Sequence, residues 1–217
     1  TAGPTKEMID PVRFISNESS GKQGYAIAET LQSLGAKTTL VSGPTSLAEP
    51  NVEQVIKVDS ADQMLEACES SLPADIAVCA AAVADYKIAN KEIAKIKKDG
   101  SRQNIILEEN PDILERLSKR NHLRPKLVIG FAAETSNLER NSNEKLSKKG
   151  CDWVLGNNVS ENSIFNQDTN KIYFTSKLYS ENWELMTKKE VAKKLCQKIS
   201  LHSVSYTHLT LPTTKTV

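Results

Sequence analysis

The chain has 217 residues and a mass of 23.9 kDa, enough for one sizeable α/β domain or two small ones, with a core that needs no disulfide or metal staple. Lys and Arg number 28 against 27 Asp and Glu, a formal net charge of +1. This excludes a global electrostatic pull toward nucleic acid or an acidic membrane, so any phosphate binding is local.

Four dispersed cysteines, Cys68, Cys79, Cys151 and Cys196, form no C-x-x-C pair, which argues against zinc, thioredoxin chemistry and a disulfide framework and fits a reducing cytoplasm. Of three histidines, His202 and His208 fall in an atypical C-terminal stretch, so a histidine triad or metal site would rest on His122 alone. The longest uncharged apolar run, Ile76 to Ala84, is far short of the ~20 residues of a membrane span, and the N-terminus lacks a basic-then-apolar signal pattern. A soluble, cytoplasmic protein with no membrane or nucleic-acid partner is expected. The start at Thr1 rather than Met suggests a piece of a longer chain or a trimmed start.

Short apolar runs alternate with amphipathic stretches, the βαβ pattern of a sheet covered by helices. Tyr25 to Leu34 places Ile27, Leu31 and Leu34 on one helical face, with Gly35 as the C-terminal cap. Lys37 to Val41 reads as a strand stopping at Ser42-Gly43-Pro44, and Val52 to Val58 as the next. Ser60 and Gln63 form a capping box for a helix carrying Met64, Leu65, Cys68 and Leu72. Asp75 to Val83 is apolar almost throughout, as a central parallel strand buried on both faces requires.

Lysine-rich Lys95-Ile-Lys-Lys98, the turn Asp99-Gly100 and strand-like Asn104 to Leu107 suggest a hairpin projecting from the sheet. Asn110-Pro111-Asp112 supplies an N-cap, a first-position proline and an early acid to a helix reaching about Lys119. Lys126 to Ala133 is a strand, Leu138 to Lys149 a helix ended by Gly150, and Trp153 to Leu155 a strand. Lys171 to Thr175 and Trp183 to Met186 suggest a second hairpin, and Thr187 with Glu190 boxes a last helix reaching Ile199. Residues 201–217, rich in Thr and Ser without a period, are expected to be a disordered or non-native tail beyond a domain of residues 1–200. The expected fold class is α/β: a Rossmann-like, three-layer, mostly parallel sheet with helices on both faces and a projecting β-hairpin region.

In an open α/β sheet, ligands sit beyond the carboxyl ends of the strands. Gly3-Pro4-Thr5, Ser42-Gly43-Pro44, Ala84-Asp85-Tyr86 and Phe131-Ala-Ala-Glu134 all fall there. Ser16-Asn-Glu-Ser-Ser-Gly-Lys-Gln-Gly24 leads into the first helix; its small residues let backbone N–H groups reach a phosphate, and Ser19 and Ser20 add hydroxyls. An ordinary capped turn uses the same residues. The segment is no Walker A loop, since Gln23 follows Gly21-Lys22, and no dinucleotide fingerprint, since G-x-G-x-x-G is missing; nicotinamide chemistry is disfavoured.

On an extended strand Lys95 and Lys97 share a face, beside Lys98, either as point charges for a polyphosphate or as lysines blunting a solvated edge. Lys145 and Lys149, four apart, share a helical face, which is also the pattern of plain solvated surface. Asp85 suits a ribose hydroxyl, a magnesium ion or a turn.

Together, Asp10-Pro-Val-Arg-Phe-Ile-Ser-Asn-Glu-Ser-Ser-Gly-Lys-Gln-Gly24, Leu40-Val-Ser-Gly-Pro44, Ala81-Ala-Val-Ala-Asp-Tyr86, Lys95-Ile-Lys-Lys98, Asn110-Pro-Asp112 and Gly130-Phe-Ala-Ala-Glu-Thr135 closely resemble the bacterial phosphopantothenoylcysteine synthetases, in order from residue 1 to about 200. The resemblance implies an enzyme of coenzyme A biosynthesis, a CTP-dependent ligase. CTP with Mg2+ activates 4′-phosphopantothenate as an acyl-cytidylate, releasing pyrophosphate, and L-cysteine then displaces CMP.

The resemblance also assigns residues. Asn17 and Lys95 become the catalytic pair, and Ser19, Ser20, Gly21 and Gly24 the phosphate cradle. Ala81, Asp85, Lys95, Gly130, Phe131, Ala132, Lys145 and Lys149 become the nucleotide contacts, while metal ligands stay unassigned. A homodimer is implied, as is an N-terminal flavin-dependent decarboxylase domain in bifunctional members. An ATP-dependent version of the ligase and a non-catalytic nucleotide-binding module are the alternatives.

Overall fold

The computed structural model describes residues 1–98, 100, 104–159 and 168–209. In chain order the elements are β1 (Lys6–Asp10), β2 (Arg13–Ser16), α1 (Lys22–Ser33), β3 (Thr39–Ser42), β4 (Gln54–Lys57), α2 (Ala61–Ser70), β5 (Ile76–Cys79), β6 (Tyr86–Ile88), β7 (Leu107–Glu109), α3 (Ile113–Ser118), β8 (Leu127–Glu134), α4 (Leu138–Lys149), β9 (Trp153–Asn158), β10 (Thr169–Asn170), β11 (Ile172–Ser176), β12 (Ser180–Asn182), β13 (Met186–Thr187) and α5 (Lys188–Leu209).

The main sheet runs β12-β11-β9-β8-β5. β8 lies parallel to β5 and β9, whereas β11 is antiparallel to β9 and β12. Beyond β5 the first residues of the chain extend the parallel order: Pro4 bridges Ala82, and Ala2 bridges Ser42 at the end of the parallel pair β3-β4. The result is the expected mostly parallel sheet between two helical layers.

β8 is buried on both faces because its side chains alternate between two cores. Leu127 and Ile129 join Ile27, Phe174, Val191, Leu195 and Ile199 under α1 and α5. Val128 and Ala132 join Leu114, Leu146 and Val154 under α3 and α4. A third cluster sets Met64 and Cys68 of α2 against Val41, Ile113 and Leu117. The fully buried central strand is therefore β8, whereas β5 is half-buried and ends at Cys79.

Caps behave largely as their sequences dictate. Ser60 and Gln63 form the reciprocal capping box of α2, and Thr187 and Glu190 do the same for α5. α1 ends with Gly35 donating to Gln32 O and Ala36 to Leu31 O, at Gly35 φ +90°, a left-handed close that glycine adopts without strain. Leu34, expected on the buried face, is 60% exposed because the helix is already ending there.

Four expectations need correction. The lysines at 95–98 form no strand; the projecting hairpin is β6-β7, whose residues Tyr86 and Glu109 pair, and the lysines ride in its irregular connection. α3 is capped by Asp112, whose carboxylate accepts from Glu115 N–H at 2.8 Å, not by Asn110. β11 turns back through Lys177–Tyr179 to β12, so Trp183 lies in the core rather than in a hairpin strand. α5 continues to Leu209, ten residues past Ile199; the rest of the expected tail, 210–217, lies outside the described residues, as does Asp99.

Gly24 explains how α1 approaches the bridge residue Ala2. A Cβ there would lie 2.5 Å from Ala2 Cβ and 2.9 Å from Thr1 O. Gly24→Ala is therefore expected to cost ~1–3 kcal/mol through overpacking, read as a lower urea midpoint at unchanged m-value. A midpoint at or above that of the wild type would contradict this packing.

Candidate active site

A cavity of about 980 Å³ opens beyond the carboxyl ends of β5, β8 and β9, where the sheet rule places ligands. Its wall gathers Asn17, Ser19, Ser20, Gly21 and Gly24 from the loop before α1, Ala81 and Asp85 from the chain after β5, Phe131 from β8, and Lys145 and Lys149 from α4. Ten of the sequence-predicted positions, spread from residue 17 to 149, thus meet in one hollow.

The loop is preorganised. Gly21 sits left-handed at φ 74° and caps α1 without a side-chain hydrogen bond of its own; its N–H donates to Ser19 Oγ at 3.3 Å and Lys22 N–H to Ser20 Oγ at 3.5 Å, which fixes the loop at the positive end of the helix, where an anion is favoured. A Cβ on Gly21 would meet Thr45 Cγ2 at 2.7 Å. Asn17 donates through Nδ2 to Val83 O at 2.9 Å, which orients its amide. Ser16 Oγ donates to Thr5 O, and Ala84 N–H to Thr5 Oγ1, fastening this loop and the chain after β5 to one buried threonine.

At the other end, Lys145 Nζ donates to Phe131 O at 2.8 Å. Lys149 pairs with Asp112 at 2.6 Å and Glu115 at 3.4 Å, and the hydrogen bond to Asp112 is the main reason its pKa is raised, so it stays charged. Burial pushes the thiol of Cys79, in the cavity wall, up to about 12. That thiol is therefore no nucleophile near neutral pH.

Three predicted positions fall elsewhere. Gly130 faces α3, where a Cβ would meet Leu114 Cδ2 at 2.5 Å, and Ala132 is fully buried in the core beside Leu146; both point away from the neighbouring Phe131 because strand side chains alternate. Lys95 is exposed and absent from the cavity wall, in a segment held to the β1-β2 hairpin by Ile96 N–H to Asp10 Oδ2 and Arg13 Nη2 to Ile96 O.

The wall also contains residues that pattern reading did not assign. Asn110 donates to Ala84 O and leaves its Oδ1 buried without a hydrogen-bond partner among the described residues, an acceptor for a ligand N–H. It stands in a motif quoted for its resemblance but read only as a helix start. Asn157 lies near the end of β9, which the apolar pattern cut short at Leu155; the strand-end rule finds it once the strand is drawn to full length.

Comparison with known proteins gives the family. Residues 1–202 match the family model for the DNA/pantothenate metabolism flavoprotein C-terminal domain, DFP. The chain belongs to this family. The DFP domain here is 42% identical over 200 residues to the Coenzyme A biosynthesis bifunctional protein CoaBC of Haemophilus influenzae, covering 92% of this chain and 50% of that protein. It is 39% identical over 204 residues to CoaBC of Bacillus subtilis, again 92% and 50%. The chain therefore spans about half the length of the curated relatives it matches.

The crystal structure of the C-terminal domain of a CoaBC protein has TM-score 0.77 and 38% identity, covering 94% of this chain and 93% of that one. A Cab2 variant in complex with phosphopantothenate-cysteine shares the fold at TM-score 0.68 and 16% identity, covering 93% of this chain and 86% of its own. The motif resemblance and the DFP family thus coincide over the same stretch of chain.

Proposed function

We propose that this DFP domain joins 4′-phosphopantothenate to L-cysteine at the expense of CTP. The observation that carries the reading is the convergence of the oriented Asn17 amide, the glycine loop at the start of α1 and the Lys145–Lys149 pair in one cavity of a CoaBC-like domain.

The chemistry needs alignment and charge neutralisation more than a protein nucleophile. A carboxylate oxygen of phosphopantothenate forms a bond to the α-phosphorus of CTP. The α–β bridging P–O bond breaks, and its electron pair leaves with pyrophosphate. The cysteine amine then attacks the acyl carbon and CMP departs, the amine giving up a proton. Asn17 holds the reacting carboxylate and acyl oxygen, the loop from Ser19 to Gly24 cradles phosphate, and Phe131, Asp85, Lys145 and Lys149 seat the nucleotide. The motif resemblance gives Lys95, on the irregular connection between β6 and β7 outside the cavity wall, to the nucleotide and the activated intermediate.

Asp85 is exposed at the cavity, and the described residues contain no group of three or more metal-ligating side chains. That donor set fits Mg2+ carried by a triphosphate, with Asp85 supplying one carboxylate, rather than a dedicated protein cage. Bound Mg2+ supplies charge neutralisation on the phosphates.

A homodimer is supported by an apolar surface around the β1-β2 hairpin and the β6-β7 connection, where Val12 is 57% exposed, Phe14 47%, Ile93 95% and Ile106 65%. No helix among the described residues is long and apolar enough to cross a membrane.

The test is pyrophosphate release with phosphopantothenate, cysteine and either CTP or ATP. Release that needs CTP is expected. Equal turnover with ATP would favour the ATP-dependent alternative, and nucleotide binding without release would reduce the domain to a binding module.

A further inference from the structure

We propose that Lys188, at the start of α5, is a cationic grip for the polyphosphate of the nucleotide and for the pyrophosphate that leaves; this assignment rests on the ligase reading above. Lys188 lines the cavity yet is only 8% exposed. Its backbone is latched to the phosphate loop: Gln23 Nε2 donates to Lys188 O at 3.0 Å, and Lys188 N–H donates to Asp168 O at 2.8 Å. Asn170 Nδ2 donates to Gln23 Oε1 at 3.1 Å and braces the same corner.

The other cations of the wall whose contacts are defined are already engaged. Lys22 pairs with Asp168 at 2.7 Å, Lys145 with Phe131 O, and Lys149 with Asp112. The ammonium of Lys188 has no ion-pair or hydrogen-bond partner among the described residues. A buried, unpaired cation is costly, and here it is disfavoured twice more, by the positive end of the helix it begins and by Lys22. Burial and the charge of Lys22 lower its pKa, with Asp168 opposing; these two are the charged groups acting on it, one from α1 and one from the segment before β10. What such a position lacks is an anion, and the glycine loop that lines the same cavity is joined to it through Gln23.

Lys188→Met preserves length without charge, and Lys188→Arg preserves charge. Pyrophosphate release is followed against CTP at saturating phosphopantothenate and cysteine, and inorganic pyrophosphate is titrated calorimetrically. Lys188→Met is expected to raise both KM for CTP and Kd for pyrophosphate about 10- to 100-fold, the size of one charge-assisted contact, and Lys188→Arg to restore most of the loss.

The sign of the pH effect follows from the lowered pKa. Wild-type affinity holds while Lys188 is protonated and weakens as pH rises through a value below the ordinary 10.5. Lys188→Arg, always charged, stays flat over that range.

If the wild type turns over and Lys188→Met leaves both constants within twofold, the assignment is overturned and the ligase reading stands. If the wild type releases no pyrophosphate from CTP, the ligase reading falls, and the pyrophosphate titration still decides whether Lys188 grips the anion. Should Lys188→Met fail to fold, the pH profile of the wild type against Lys188→Arg decides alone, identical profiles overturning the assignment.

Discussion

Asn17→Ala is expected to lower turnover by about 100- to 1,000-fold, the range seen when one preorganised donor to developing negative charge is removed. Stability should change by less than ~1 kcal/mol, as for other exposed polar substitutions. The separation follows from the position. Asn17 is exposed, and its side-chain amide donates to Val83 O. That bond orients an amide toward the cavity without holding up the core. Asn17→Asp keeps the shape but exchanges a donor for a negative charge beside the substrate carboxylate, so it should not rescue. Pyrophosphate release with a parallel thermal melt separates the two effects. A folded Asn17→Ala variant turning over within threefold of the wild type would remove Asn17 from the reaction.

The largest stability loss is expected at Trp183. It is fully buried, stacks on Phe174 with ring centroids 6.0 Å apart and an interplanar angle of 6°, and donates through its indole N–H to Glu181 Oε1 at 2.6 Å. Phe174 in turn meets Trp153 edge-on at 5.4 Å. Trp183→Ala removes this plate from under α5 and should cost ~3–5 kcal/mol. For a domain of this size that corresponds to a fall in Tm of about 6–20 °C. Trp183→Phe keeps most of the apolar volume but loses the donor, so its loss should be smaller. Near-UV circular dichroism on heating checks both, and a loss under ~1 kcal/mol for Trp183→Ala would mean the core closes without the indole.

Much of this organisation is legible in the amino-acid sequence where local chemistry and tertiary position agree. The capping boxes at Ser60 and Thr187, the helix Leu138–Lys149 and the strand around Ile129 need no long-range information, because their caps and periodicity already match the environment they meet. The lysines at 95–98 are where that agreement ends. Their alternation is compatible with a strand, but the pairing partner of β7 turns out to be Tyr86–Ile88, and which partner wins is set by tertiary context rather than propensity. Gly130 and Ala132 show another limit. A motif marks a stretch of chain as belonging to a site, whereas the pleat decides which of its side chains face the ligand. Lys188 was hidden for a third reason, since it stands inside a capping box that already explains its neighbours and nothing local reveals that its charge is buried.

The packing of α1 against α5 has a consequence for how this domain is made. Cys196 Sγ lies 3.8 Å from Ile27 O, across a sequence separation of 169 residues, and Ala26 and Ile27 share one core with Val191, Leu195 and Ile199. A ribosome adds roughly 5–20 residues per second, so the apolar face of α1 waits many seconds for its cover. Contacts this distant in sequence also slow folding itself. During that interval the phosphate loop is joined to a helix whose α5-facing side is uncovered, and the binding hollow acquires its final shape only when α5, made long after α1, packs against it.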